Sequence, residues 1–391
     1  MGRLTRRLAA GTLASMIGAT ALMFGGAAAR AAETGPIRIG SVLSLTGAAS
    51  YIGESMQQTL QLYVERTNEE GGILGRKLQL IQYDDASDAA KSNGFAKRLI
   101  DEDKVDAIIA GNTSGATMAM LPLIQNAGIP YVSLAGSAAI VEPVKSWVFK
   151  TPPTDRMIAQ RSMEDMIQRG VKKIGLLTET GAYGQSARKE SQDLVGRMGL
   201  TLVADETFGP KDTDMTPQLS KIGAAGADAV FIVGSGGGPA ISTRNAAQLG
   251  LKMKIYQGGG ANSEEFIKQA GPASEGVLVV GPAFIISRFL SDSDPQKAVA
   301  LTYEKAFRDR WQSTPNTFGG SAYDAFMLVK LAMVAAGSTE KDKVRAAIET
   351  TKGFVGVQGL FEMSPTNHLG LSPQSLRVFT VRNGAFAPAE P

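Results

Sequence analysis

Residues 106–135 read DAIIAGNTSGATMAMLPLIQNAGIPYVSLA, and the succession of patterns in this stretch decides the fold. Asp106–Gly111 is a short apolar run closed by glycine, which fits a strand buried on both faces. Ala116–Ala127 then places apolar residues at helical spacing and stops at Gly128. Ile129–Ala135 returns to strand character. A strand, a helix and a second strand in so short a span form a βαβ unit, whose two strands run parallel with the helix on one face.

The same alternation extends in both directions. Upstream come a strand at Ile37–Leu45, an amphipathic helix at Glu54–Glu70 stopped by Gly71-Gly72, an alternating strand at Lys77–Asp84 and a helix at Ser87–Asp103. Downstream the pattern restarts after Trp147–Pro153, with a helix at Asp155–Arg169, a strand at Lys173–Thr180, a helix at Gly184–Met198 and a strand at Leu200–Phe208. Thr216 and Pro217 open a further helix. Strands at Ala229–Ser235, Lys254–Gln257 and Gly276–Phe284 follow, with a helix at Pro239–Leu249 among them. Three helices (Pro295–Gln312, Ser321–Ala336, Thr339–Thr351) and two extended pieces (Val357–Met363, Arg377–Val381) complete the chain. The fold class is therefore α/β, with parallel sheets covered by helices. Two successive units without a flexible linker imply two lobes joined by ordered crossings. Ligands of such sheets bind beyond the carboxyl ends of the strands, which puts the site in the cleft between the lobes.

The chain has 391 residues, 43% hydrophobic and 20% charged, enough for a core in each lobe. Its formal charge of +3 comes from the N-terminus, where Arg3, Arg6, Arg7 and Arg30 stand without an acid and the remainder is slightly acidic. That remainder has no electrostatic footprint for nucleic acid or an anionic membrane. Residues 1–31 read as a signal peptide: a basic start to Arg7, an uncharged stretch Leu8–Ala29, and Ala29-Arg30-Ala31 as a small-x-small cleavage pattern. The alternative is an uncleaved anchor. The chain holds no cysteine, so disulfides, thiolate metal sites and lipid attachment through Cys are excluded for it. An exported chain without a lipid is expected in a Gram-negative periplasm.

Few residues offer catalytic chemistry. The only histidine, His368, falls in an expected loop and is read as a packing residue. There is no Gly-x-Ser-x-Gly elbow. Gly234-Ser235-Gly236-Gly237-Gly238-Pro239 lacks the sixth glycine of a dinucleotide fingerprint. Asp84, Asp85 and Asp88 fit either a metal cluster or, more simply, the N-cap region of the next helix. No catalytic residue, metal or cofactor is therefore predicted, which weighs against an exported enzyme.

The block Gly71-Gly72-Ile73-Leu74-Gly75-Arg76-Lys77-Leu78, followed by Tyr83-Asp84-Asp85 and Asp88, resembles the leucine/isoleucine/valine-binding family of ABC-transporter solute receptors. Gly128-Ile129-Pro130, Tyr183-Gly184, Ala247 with Gly250, and Tyr323-Asp324-Ala325 carry the resemblance across the rest of the chain. It implies a type I periplasmic binding fold: two Rossmann-like lobes joined by three hinge crossings, near 151–154, 284–287 and 355–361. The implied lobes are 36–152 with 285–355, and 153–284 with 356–391. The implied partners are a small-molecule carboxylate, captured by hinge closure, and an inner-membrane permease with its ATPases. A monomer is the default for a receptor that presents both lobes. A cytosolic ligand-sensing regulator of the same fold is the alternative class, opposed by the signal peptide.

The resemblance also implies ligand contacts. Ser114 and the backbone at Gly115 would grip the ligand carboxylate, Ser114 being open to a simpler role as helix cap. Ala135, Gly136 and Ser137 would form a second contact, and Tyr183 a third from the other lobe. Tyr51 stands one position from the family's usual tyrosine. Two departures bear on the ligand. Where amino-acid binders place an acid for the ligand ammonium, this chain has Gln257-Gly258-Gly259-Gly260, with Asn262 and Glu264 as the candidates to replace it. Ser235-Gly236-Gly237 replaces an aromatic wall, which should widen the pocket beyond leucine. The expected ligand is an aromatic or other hydrophobic carboxylic acid, with a branched-chain or other hydrophobic amino acid as the open alternative.

Overall fold

The computed structural model of the protein describes residues 35–390; the signal peptide expected at residues 1–31 lies outside them. The first sheet holds β1 (Ile37–Leu43), β2 (Leu78–Asp84), β3 (Ala107–Ala110), β4 (Tyr131–Ser133) and β5 (Val148–Lys150) in the order β2-β1-β3-β4-β5, all parallel. Helices α1 (Ser50–Glu69), α2 (Ala89–Asp101) and α3 (Ser114–Ala127) connect its strands.

The chain then passes through residues 151–154 into α4 (Asp155–Gln168) and the second sheet. That sheet holds β6 (Lys173–Glu179), β7 (Thr201–Phe208), β8 (Ala229–Val233), β9 (Lys254–Gln257) and β10 (Leu278–Pro282). Its connecting helices are α5 (Ala182–Arg197), α6 (Thr216–Ala224), α7 (Gly238–Gln248) and the short α8 (Glu264–Ala270). After β10 come α9 (Pro295–Trp311), α10 (Thr317–Ala336), α11 (Lys341–Glu349), and a small hairpin of β11 (Phe354–Val355) and β12 (Leu360–Phe361). The second sheet is finished by β13 (Leu376–Arg382) and β14 (Ala385–Pro388), in the order β14-β13-β10-β9-β8-β6-β7, with these last two strands antiparallel.

The βα junctions that open each lobe share one packing device. In α1 a Cβ at Gly53 would sit 2.1 Å from the Ser44 carbonyl oxygen, and in α5 a Cβ at Gly184 would sit 2.0 Å from that of Glu179. Each helix can start against its strand end only because it carries glycine there.

Helix α10 is apolar on most faces because it is a core helix, packed between α1 and α11 of the first lobe. The segment 356–371, assigned from sequence to the second lobe, packs on the first. Asp324 of α10 accepts the Val357 and Gln358 N–H groups, each at 2.7 Å. The Met363 N–H reaches the Thr351 carbonyl, and the Lys150 N–H reaches that of His368. Polar backbone satisfaction holds the segment there until the chain enters β13.

Candidate ligand-binding cleft

Each sheet has one place where neighbouring strands send the chain in opposite directions, and open α/β sheets bind ligands at such points. In the first it lies between β1 and β3, and in the second between β6 and β8. Between these ends a cavity of about 90 Å³ is lined by Ile52 and 112–114 from one lobe and by Tyr183, Ser235, Gly259, Gly260 and Asn262 from the other. Pro152 and Pro153 of the first crossing, Phe318 of α10 and Gln358 close it.

The start of α3 is the most polar part of this wall. Thr113, not Ser114, caps the helix, its Oγ1 accepting the Ala116 N–H at 3.2 Å. Ser114 is 2% exposed and its Oγ accepts the Ser137 N–H at 3.3 Å, which leaves the hydroxyl proton to donate. The N–H groups of Ser114 and Gly115 have no acceptor among the described residues. Free N–H groups and the positive end of the helix dipole suit an anion.

Of the residues singled out in the sequence, Ser114, Gly136, Tyr183 and Gly259 line the cavity. Burial pushes the Tyr183 hydroxyl well above its ordinary range. A Cβ at Gly136 would sit 2.8 Å from the Tyr183 ring and one at Gly259 would sit 2.9 Å from its hydroxyl, so these glycines make room for the tyrosine. Gly115, Ala135, Ser137 and Tyr51 are not part of the lining. The Ser137 hydroxyl instead donates to the Ser186 hydroxyl across the cleft at 2.7 Å. Ala135 is buried, between two lining residues. Tyr51 reaches over the cleft, where its hydroxyl accepts the Gly236 N–H at 3.1 Å and burial pushes it up to about 12.

The loop 235–237 lacks an aromatic side chain, but Tyr51 covers it, edge-on to Phe318 with ring centroids 5.8 Å apart.

No carboxylate, ammonium or guanidinium lines the cavity among the described residues. Glu264 is exposed, whereas Asn262 is in the wall. Two acids lie behind it. Glu179, at the end of β6, accepts the Ser235 N–H at 2.7 Å and its hydroxyl at 3.0 Å. Asp155 accepts the Ala138 N–H at 2.9 Å, and burial raises its carboxyl. Beside it Lys150 is fully buried, donating to the Gly136, Ser137 and Pro153 carbonyls, and burial lowers its ammonium to about 7. Sequence reasoning missed Asn112, Phe318, Gln358 and Glu179. Only Glu179 carried a usable signal, as an acid closing a strand just before Tyr183.

The other titratable candidates are structural. His368 is 1% exposed, stacks on Phe149 with ring centroids 4.2 Å apart and uses Nδ1 on the Val148 carbonyl. Asp88 caps α2, Asp84 binds the 45–46 turn, and Asp85 holds Ser87 and Ser92.

A family model described as "Periplasmic binding protein" matches residues 36–385. The chain is 28% identical over 273 residues to a Leu/Ile/Val-binding protein homolog 8 of Brucella suis, a match covering 67% of this chain and 65% of that relative, just under two thirds of its length. An extracellular ligand-binding receptor from Rhodopseudomonas palustris superimposes with a TM-score of 0.85 at 28% identity, covering 91% of this chain and 100% of that one. A branched-chain amino acid transporter substrate binding protein of Streptococcus pneumoniae, solved with isoleucine, gives 0.80 at 26% identity, covering 91% and 99%.

Proposed function

Given that the chain belongs to the periplasmic binding protein family, as the match over residues 36–385 shows, we propose that it is the solute receptor of an ABC importer, exported and without catalytic activity. It binds a small hydrophobic carboxylate in the inter-lobe cleft. The lobes close on the ligand because contacts from both favour the closed state over the open one. The closed form docks on an inner-membrane permease with its ATPases. For the hinge, the lobes are taken as 36–152 with 285–371, and 153–284 with 372–390.

The observation that carries this reading is the start of α3. The Ser114 hydroxyl proton and the free Ser114 N–H group, with the free Gly115 N–H next to it in the first turn of α3, stand at a cavity wall that carries no charged side chain among the described residues. A carboxylate is the group those donors stabilise. An ammonium on the same ligand would be buried without an acid in the wall, which costs several kcal/mol. A non-amino carboxylic acid, aromatic or aliphatic, is therefore favoured. A hydrophobic amino acid is the second reading, favoured by the Leu/Ile/Val-binding name of the relative and by Glu179 behind Ser235.

A thermal-shift panel on protein freed of carried-over ligand by denaturation and refolding tests both. Leucine, isoleucine, valine and phenylalanine are set against benzoate, phenylpropionate and isocaproate. A ligand at a hundred times its Kd adds about 2.7 kcal/mol of stability. Shifts with the acids alone support the first reading, and shifts with the amino acids alone replace it by the second. If no carboxylate shifts the transition, both fail.

A further inference from the structure

Lys150 is a buried cation at the point where the first lobe hands the chain to the second. It is the last residue of β5, fully buried, and the first crossing at 151–154 starts directly after it. Its Nζ donates to the carbonyls of Gly136 at 3.1 Å, Pro153 at 3.4 Å and Ser137 at 3.5 Å. An ammonium brings three N–H donors to these three oxygens. A neutral amine brings two and turns its lone pair towards the third oxygen. Gly136 is the shared point of the arrangement. It lines the ligand cavity, and its carbonyl also accepts the Asp155 N–H at the start of α4 at 3.0 Å. One carbonyl thus joins the cleft loop of the first lobe, the crossing and the first helix of the second lobe.

We propose that Lys150 is a positioning residue that makes ligand affinity depend on pH: its ammonium holds the cleft loop 135–137 against the first crossing in the geometry the ligand needs, and the neutral amine lets that geometry go. The inference rests on the cleft being the ligand site, not on which acid or amino acid fills it. Burial lowers the ammonium to about 7, against the pull of Asp155 and Glu142. Those two acids are themselves held. Asp155 accepts the Ala138 and Arg156 N–H groups, and Glu142 pairs with Arg156, which also binds Glu190 of α5. Tyr183 of α5 feels the Asp155 charge. On the other side His368, whose carbonyl accepts the Lys150 N–H, stacks on Phe149, with Nε2 3.4 Å from Glu349. Lys145 is turned to the Ala139, Ile140 and Pro143 carbonyls, and the Tyr131 hydroxyl of β4 to that of Ala110. Helix α3 brings no charged side chain. Binding that needs the ammonium draws in a proton wherever the free protein has lost it. Affinity is therefore highest on the acid side of neutrality and falls as pH rises through about 7.

Calorimetric titration of the refolded protein tests this. Benzoate, phenylpropionate, isocaproate and leucine are titrated between about pH 5.5 and about pH 8.5, a window in which their carboxylates stay ionised. A probe that binds should do so about tenfold more weakly at the upper end, the worth of one buried hydrogen bond. At about pH 7.5 its binding enthalpy should differ between buffers of unlike ionisation enthalpy, by the uptake of a proton that vanishes at about pH 5.5. In Lys150→Met the affinity should stay at the weaker value throughout and the proton uptake should be absent. The buffer comparison uses unmodified protein, so it decides the matter even where the methionine variant does not fold. His368→Gln should keep the whole pH dependence. Affinity that does not change with pH, without proton uptake, overturns the inference and leaves the ligand site standing. A pH dependence that survives Lys150→Met, or one that His368→Gln abolishes, assigns the proton to another group and also overturns it. If none of the four probes binds at any pH, the reading of the cleft fails first and this inference with it.

Discussion

Replacing Asp324 by asparagine should change how stability depends on pH. Asp324 is fully buried in α10 and carries both N–H bonds of the returning segment, from Val357 to Oδ1 and from Gln358 to Oδ2, each at 2.7 Å. Burial raises its carboxyl to about 8 from an ordinary 3.8, the larger effect against the two N–H bonds that favour the charged form. Between those values the folded chain holds a proton that the unfolded chain has released. Stability from this group is therefore complete below the unfolded pKa and is lost as pH rises towards 8. At about 1.36 kcal/mol per pH unit, the loss between about pH 5 and pH 7 is about 2.7 kcal/mol. Asp324→Asn does not titrate. It keeps one acceptor and leaves one N–H facing an amide NH₂, a constant cost of about 1–3 kcal/mol. Denaturant unfolding of ligand-free protein at both pH values gives the comparison, and all other groups cancel in the difference. The wild-type protein should fall by about 2.7 kcal/mol relative to the variant as pH rises. Parallel pH profiles would refute the argument and mean that the buried carboxylate stays ionised throughout.

Further outcomes follow from individual contacts. Gly184→Ala forces a Cβ to 2.0 Å from a carbonyl oxygen and should cost about 1–3 kcal/mol in thermal unfolding. Gly94→Ala, in open space within α2, should be neutral or stabilising by up to about 1 kcal/mol. Lys150, lowered to about 7, contributes stability that is present above its unfolded pKa and lost as pH falls through the folded one. The wild-type protein should therefore gain on Lys150→Met as pH is raised from about 7 to about 10, read by the same unfolding assay. Tyr51→Phe removes the bond to the Gly236 N–H that spans the cleft, and should weaken ligand binding by roughly fivefold in titration.

Much of the architecture was legible because apolar runs and glycine stops alternate at strand and helix periods. The stretch 106–135 becomes β3, α3 and β4 almost as written, and Lys173–Thr180 becomes β6. Ser114 and Tyr183, which the resemblance placed at the ligand, both line the cavity between the sheet ends. What failed depended on geometry that spacing does not carry. Tyr51 sits on the first turn of α1 and reaches across the cleft to the Gly236 N–H, covering the loop where an aromatic side chain was expected to be missing. Ser137 has a suitable hydroxyl, but Ser186 of the facing lobe takes it. The segment 356–371 has no strong local pattern, and the partner that decides its place, Asp324, lies on a distant helix.

A carboxylate bound at the start of α3 in the closed cleft, as proposed, is tested by pairing the ligand with its neutral isostere. The tightest-binding acid from the panel and its primary amide are titrated into the refolded protein and into Ser114→Ala. The acid should bind at least about tenfold tighter than the amide, and Ser114→Ala should narrow this gap. Equal affinity for acid and amide, with Ser114→Ala affecting both alike, would contradict it.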